Sequence, residues 1–209
     1  MNVIDLFCAR SPRQHSFDGV GIFLTDGART NLLFDPPGRD RETFFEDGRV
    51  RGTVPKTPVG RQVYETFAGN YRALFDDEPN DFGFTAHAYD AAWILLYGTA
   101  WAHHREDAVT GTGIARGLRR LSQGVDVRVE PAEWNEVKGQ FEAGRSVNID
   151  GASGALDFDP LTEETTAPVD VWRVVSSDAG FGFEETHCWD FGDEPGECDG
   201  EPPEDSPID

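Results

Sequence analysis

The stretch NIDGASGALDFDP, residues 148–160, decides how the chain is read. Gly151 and Gly154 bracket Ala152 and Ser153, and then Leu156 and Phe158 alternate with Asp157 and Asp159. A calcium loop needs oxygen ligands at alternate positions and a distal Glu, but Ala152, Ala155 and Leu156 stand where carboxylates should be. A phosphate loop needs a Lys and a helix after its glycines, and neither follows Gly154. What remains is a tight turn whose glycines supply unusual backbone angles, leading into a strand with Leu156 and Phe158 on one face.

Working outward from the turn, the preceding elements alternate. SVNI, residues 146–149, reads as a strand, and EPAEWNEVKGQFEAG before it as a helix that opens at Pro131, faces inward with Trp134, Val137 and Phe141, and stops at Gly144. VDVRV, residues 125–129, alternates as a strand. TGTGIARGLRRLSQG, residues 110–124, spaces Ile114, Leu118 and Leu121 for a helix, with Thr110 or Thr112 as its cap and Gly124 as its stop. The run FGFTAHAYDAAWILLYGTAWAHH is apolar on more than one face and reads as a buried core helix, its polar interruptions setting it apart from a membrane span. A further helical stripe falls at Val59, Val63, Phe67, Tyr71, Leu74 and Phe75. VGIFL, residues 20–24, reads as a buried strand running into the turn TDGART, with a polar loop over 35–50. On the other side of the turn, ALDFD and VDVWRVV form a closing pair of strands. Helices alternating with strands before a final hairpin make an α/β chain.

The length of 209 residues suits one ordinary domain or two small ones. The net charge of −21 is unevenly spread, because residues 174–209 hold twelve of the 39 acids and none of the 18 bases. The body is mildly acidic and the tail strongly so, which makes nucleic acid and anionic membrane poor partners, and neither is expected. From Asp190 onward the chain is too polar and proline-rich to pack and is expected to be disordered. MNVIDLFCARSPRQHSF lacks the basic start and apolar run of a signal peptide, and no run is long enough for membrane insertion. Cys188 and Cys198 lie close in a Gly/Pro-rich segment, where a local disulfide and two free thiols are both open readings.

Three pieces in this order carry a likeness: GIFLTDGA, then FTAHAYDAAWILLYG, then FEAGRSVNIDGASGALDFDP with VDVWRV. Together they resemble the C-terminal half of the type I periplasmic binding proteins, the branched-chain amino-acid receptors of ABC transporters, over about Gly21 to Val175. The resemblance implies an incomplete Rossmann-like fold of two α/β lobes. Residues 20–54 and 151–175 would belong to one lobe and 55–150 to the other, with 1–19 unassigned and 176–209 an acidic disordered tail. The turn at 151 would then be the last crossover between lobes. The resemblance further implies a truncated solute-binding protein, periplasmic or extracytoplasmic, that captures a small amino acid or similar zwitterion for a transporter permease, with no cofactor and no catalysis.

Two ligand-binding positions follow from the likeness. Asp26 stands where relatives present an acidic side chain to the ligand's ammonium, and a charge-assisted hydrogen bond there would fix orientation. An Asp that merely favours a turn before Gly27 is the other reading. Phe84 matches a cleft-facing aromatic that would form an apolar wall, and ordinary helix packing explains it as well.

An enzyme would need a convergent acid, base and nucleophile. His87 and Asp90 share a helix face at i and i+3, a spacing open to a metal or a proton relay, but no third ligand joins them. His103 and His104 read as a polar helix C-terminus with a favourable dipole contact. Cys8 lacks the setting of a thiol nucleophile. The remaining alternative is an extracytoplasmic sensor or interaction module that keeps the fold without binding a ligand.

Overall fold

The computed structural model describes residues 21–34, 45, 48–81, 84–159, 161–165, 167–177 and 180–189. They form an α/β protein whose chain divides into two compact units, one of residues up to Lys56 together with those from Pro168, the other Thr57–Ala167.

The first unit is built on a four-stranded sheet in the order β1-β2-β6-β7. β1 (Ile22–Leu24) runs parallel to β2 (Val50–Pro55), and β2 runs antiparallel to β6 (Val169–Ser177), which hairpins into β7 (Gly180–Trp189). Alternation explains the buried face: Val50, Val54, Trp172 and Val174 are buried with Leu33 and Phe45. Phe183 packs edge-on against Trp172 at 5.0 Å between centroids and lies 4.8 Å from Phe34. Aromatic pairs of this kind hold sheet faces beyond their area burial. The acids of β7 are matched across the unit, with Glu184 paired to Arg173 at 2.5 Å and Glu185 to Arg29 at 2.6 Å.

The second unit opens with α1 (Gln62–Phe75), continues through α2 (Thr85–Arg105) and α3 (Gly111–Leu118), and then lays down β3 (Val125–Arg128), α4 (Trp134–Glu142), β4 (Val147–Gly151) and the two-residue β5 (Gly154–Ala155). β3 and β4 are parallel with α4 as the crossover, and β5 folds back antiparallel on β4. The core gathers Tyr97 and Trp101 of α2, Val137 and Phe141 of α4, and Val127, Val147 and Ile149 of the strands. Thr110 caps α3 by accepting the Gly113 N–H at 3.1 Å. α2 and α3 cross so closely at Gly98 and Gly117 that a Cβ on Gly117 would sit 2.8 Å from the Gly98 backbone.

Several expectations are corrected. The chain does not cross to another lobe at the 151 turn: β5 pairs with β4 in the sheet that holds β3, and the unit continues to Ala167. The turn is a local hairpin because Gly154, at φ 131, reverses the chain over two residues. ALDFD is strand only at Ala155, and the closing hairpin is β6–β7 instead. The assignment of 176–209 to a disordered tail is overturned for 180–189, where β7 pairs with β6 and its acids are neutralised by Arg29 and Arg173. β2 (Val50–Pro55) starts at the last residue of the polar loop expected over 35–50 and runs on through residues that the sequence pattern leaves unassigned. α3 ends at Leu118, before Gly124. Residues 1–19 and 190–209, with Cys8 and Cys198, lie outside the described residues.

Candidate functional site

Asp90 is the most constrained polar side chain of the second unit. It projects from the buried face of α2 with 1 % of its surface exposed. Its carboxylate receives three donors from the 151–154 turn: the Ala152 N–H at 2.8 Å, the Ser153 N–H at 2.7 Å and the Ser153 hydroxyl at 2.5 Å. Burial pushes its pKa up, and the three hydrogen bonds with the nearby His87 pull it back. Gly151 exists for this contact, since a Cβ there would stand 2.4 Å from Asp90 Oδ2. The turn that reads from sequence as two glycines with unusual angles thus uses them differently. Gly154 supplies a positive φ, and Gly151 supplies room for a carboxylate from another element. Beside this turn, Asp150 is ion-paired with Arg61 at 2.5 Å.

His87 lies on the same face as Asp90, half-buried, and burial lowers its pKa. The Asp90 oxygens accept from the turn, with His87 near enough to interact electrostatically with the carboxylate. His103 and His104 sit in the last turn of α2, ring against ring at 4.9 Å, with His104 Nδ1 3.9 Å from Glu142. Among the described residues, no group of three or more His, Cys, Asp or Glu side chains is placed to hold a metal ion.

Phe84 immediately precedes α2. Its backbone is left-handed, φ 75 and ψ 7, and the ring is 38 % exposed, edge-on to His87 at 5.5 Å. The carbonyl of Phe84 accepts the Ala88 N–H at 2.8 Å, and Thr85 Oγ1 donates to the Pro79 carbonyl at 2.6 Å, so the helix start is tied down on both sides. A bulky residue with positive φ is rare and strained by about 1–3 kcal/mol.

Asp26 opens the 3-10 turn Asp26–Ala28 that follows β1. It is half-buried, and its Oδ1 accepts the adjacent Gly27 N–H at 2.7 Å. Asp26 belongs to the first unit and Phe84 to the second. Cys188, on β7, is disulfide-bonded, and Lys56 Nζ lies 3.5 Å from its sulfur; the proposed partner Cys198 is outside the described residues.

Sequence reasoning missed two features. Asp170, 7 % exposed on β6, has its pKa raised to about 6 by burial and by Glu185, against the pull of Lys56 and Arg29. The VDV alternation that placed β6 carried the signal, because it puts Asp170 on the buried face with Trp172 and Val174. The second is an open cavity of about 500 Å³ whose lining includes Asp157, Asp159 and Glu164 with Ser122 and Thr162. Asp159 is spent there on the Leu161 and Thr162 N–H groups, which lower its pKa, and neither Asp26 nor Phe84 lines the cavity.

No family model and no curated protein matches the chain. No helix of the described residues is long and apolar enough to cross a membrane.

Proposed function

We propose that the chain is part of a solute-binding protein of the type I periplasmic kind, which captures a small zwitterion, an aliphatic amino acid first, and hands it to an ABC transporter permease outside the cytoplasm. The observation that carries the reading is Phe84: a partly exposed aromatic held at φ 75 at the head of a 21-residue helix. Strain of this size persists where the surrounding structure maintains it, and it clusters at binding sites. Asp26 supports the same reading, since its carboxylate is half-buried and its one described hydrogen bond is to its own neighbour, leaving acceptor capacity for an ammonium. Asp90 has the complementary role of fixing α2 to the 151–154 turn, so that the head of α2 is held in place.

Replacing Phe84 by Gly tests the assignment of the ring. A ring that serves a ligand is dispensable to the fold, so Phe84→Gly should leave stability unchanged or raise it by up to about 1 kcal/mol as strain is relieved, while weakening amino-acid binding by about tenfold. Chemical denaturation with ligand-observed NMR on the same samples gives both numbers. A loss of stability with intact binding would make Phe84 a packing residue.

The alternative, an interaction module that keeps the fold without a ligand, draws on one specific observation. Leu95 and Leu96 of α2 are 57 % and 51 % exposed at the middle of a long uncharged helix face.

A further inference from the structure

An acid, a cation and a disulfide sulfur of the first unit share one face of its sheet. Register sets Val54, Asp170 and Cys188 side by side on β2, β6 and β7, and Lys56, two residues beyond Val54, projects on that same side. Lys56 Nζ donates to Cys188 Sγ at 3.5 Å, and its charge also acts on the Asp170 carboxyl. Asp170 is 7 % exposed and accepts no hydrogen bond from a described residue. A carboxyl buried in this way is costly, and the sheet does not call for it, because Trp172 and Val174 continue the same face with apolar side chains. Cys188 itself is disulfide-bonded to a sulfur outside the described residues. It is half-buried on β7, the last strand in the sheet order, where a small thiol can reach it.

From this juxtaposition we infer that the Cys188 disulfide is a thiol-exchange site: a dithiol reduces it, and Cys188 is the sulfur that leaves as a thiolate, beside the Lys56 ammonium. One thiolate of the dithiol attacks the sulfur bonded to Cys188, the S–S bond breaks, and its electron pair stays on Cys188 Sγ. The dithiol's second thiol gives its proton to solvent and displaces the mixed disulfide, so the dithiol is oxidised to its own disulfide and both cysteines are reduced. The sulfur with the more acidic thiol leaves faster, and an ammonium at hydrogen-bond distance makes Cys188 that sulfur. Asp170 works in the other direction. Its carboxylate opposes a second negative charge on the same face, so the thiolate is favoured where Asp170 holds its proton, and the thiolate tightens that proton in turn. Glu185, paired with Arg29 at 2.6 Å, is the other carboxylate that acts on Asp170. His187, next to Cys188 along β7, alternates to the opposite face, with its Nδ1 3.0 Å from Thr186 Oγ1. A disulfide that only staples the sheet needs neither a cation at its sulfur nor a bare carboxyl beside it.

Dithiothreitol on the full 209-residue chain, with alkylation and mass spectrometry after an acid quench, reads the exchange directly. Without denaturant, about 1 mM dithiothreitol at roughly pH 8 should reduce the disulfide on the order of minutes. Lys56→Met should slow this by about threefold to tenfold, Lys56→Arg should recover most of the rate by returning the cation, and Asp170→Asn should speed it. In a Cys8→Ser/Cys198→Ser chain Cys188 is the sole thiol, and iodoacetamide alkylation across pH gives its pKa. That pKa should rise by about one unit on adding Lys56→Met and fall on adding Asp170→Asn. Reduction that needs urea, a Lys56→Met rate equal to the parent's, a Lys56→Arg chain no faster than Lys56→Met, or a thiol pKa indifferent to both neighbours would each overturn the assignment. None of these outcomes bears on amino-acid binding through Asp26 and Phe84.

Discussion

Single carboxylates set the local chemistry of both units. Asp90 and Gly151 act as one device, the carboxylate satisfying the Ala152 and Ser153 N–H groups and the glycine leaving it space. Asp90→Ala should cost about 2–4 kcal/mol, because it strands donors in a buried turn. Gly151→Ala should cost a similar amount by pressing a methyl group into the carboxylate. The double variant should cost clearly less than the sum of the two, since the clash disappears with the carboxylate; full additivity in urea denaturation would contradict the contact. Asp170 gives a pH signature of known sign. Its folded pKa, about 6, lies above the unfolded value of 3.8, so the folded state holds the proton more tightly. The stabilisation is present below about pH 4, falls as pH rises toward 6, and is gone above that. Asp170→Asn should therefore raise the melting temperature at pH 7 to 8, by on the order of 1–3 kcal/mol of stability, and change little at pH 4. An equal effect at both pH values would show that Asp170 does not titrate in this way.

At the scale of elements, what was legible followed from period. The 3.6-residue stripe of Val63 and Phe67 located α1, although Leu74 and Phe75 of the same stripe are exposed at its C-terminal end. The apolar run around Tyr97 located α2, and Trp134, Val137 and Phe141 located α4 on the correct face. Strands were harder because their signal is short and shares residues with charge. β7 reads as part of an acidic tail until Glu184 is seen against Arg173 across the hairpin and Glu185 against Arg29, 156 residues away in the chain. β2 alternates Val50, Gly52 and Val54, and the central Gly hides the pattern; it is Gly because Trp172 lies across it, 2.4 Å from where a Cβ would be. In the sequence Asp90 stands out only for its spacing to His87 on the helix, yet its partners lie 62 and 63 residues away, which no local pattern encodes. Asp26 and Phe84 came from the resemblance and not from periodicity. The left-handed backbone at Phe84 has no signature in an aromatic residue.

For the whole molecule, the proposed function assigns capture of a small zwitterion to an α/β chain of two compact units. The strong negative charge sits well with a protein whose ligand is small and whose partners are not polyanions. The test closest to that claim is ligand-observed NMR titration of the 209-residue chain with leucine, isoleucine and valine, beside the Asp26→Ala variant. Saturable binding of the aliphatic amino acids at millimolar concentration, abolished in Asp26→Ala while the fold is unchanged, is the result the account predicts. Absence of amino-acid binding by the parent chain, or binding of equal strength in the variant, would contradict it.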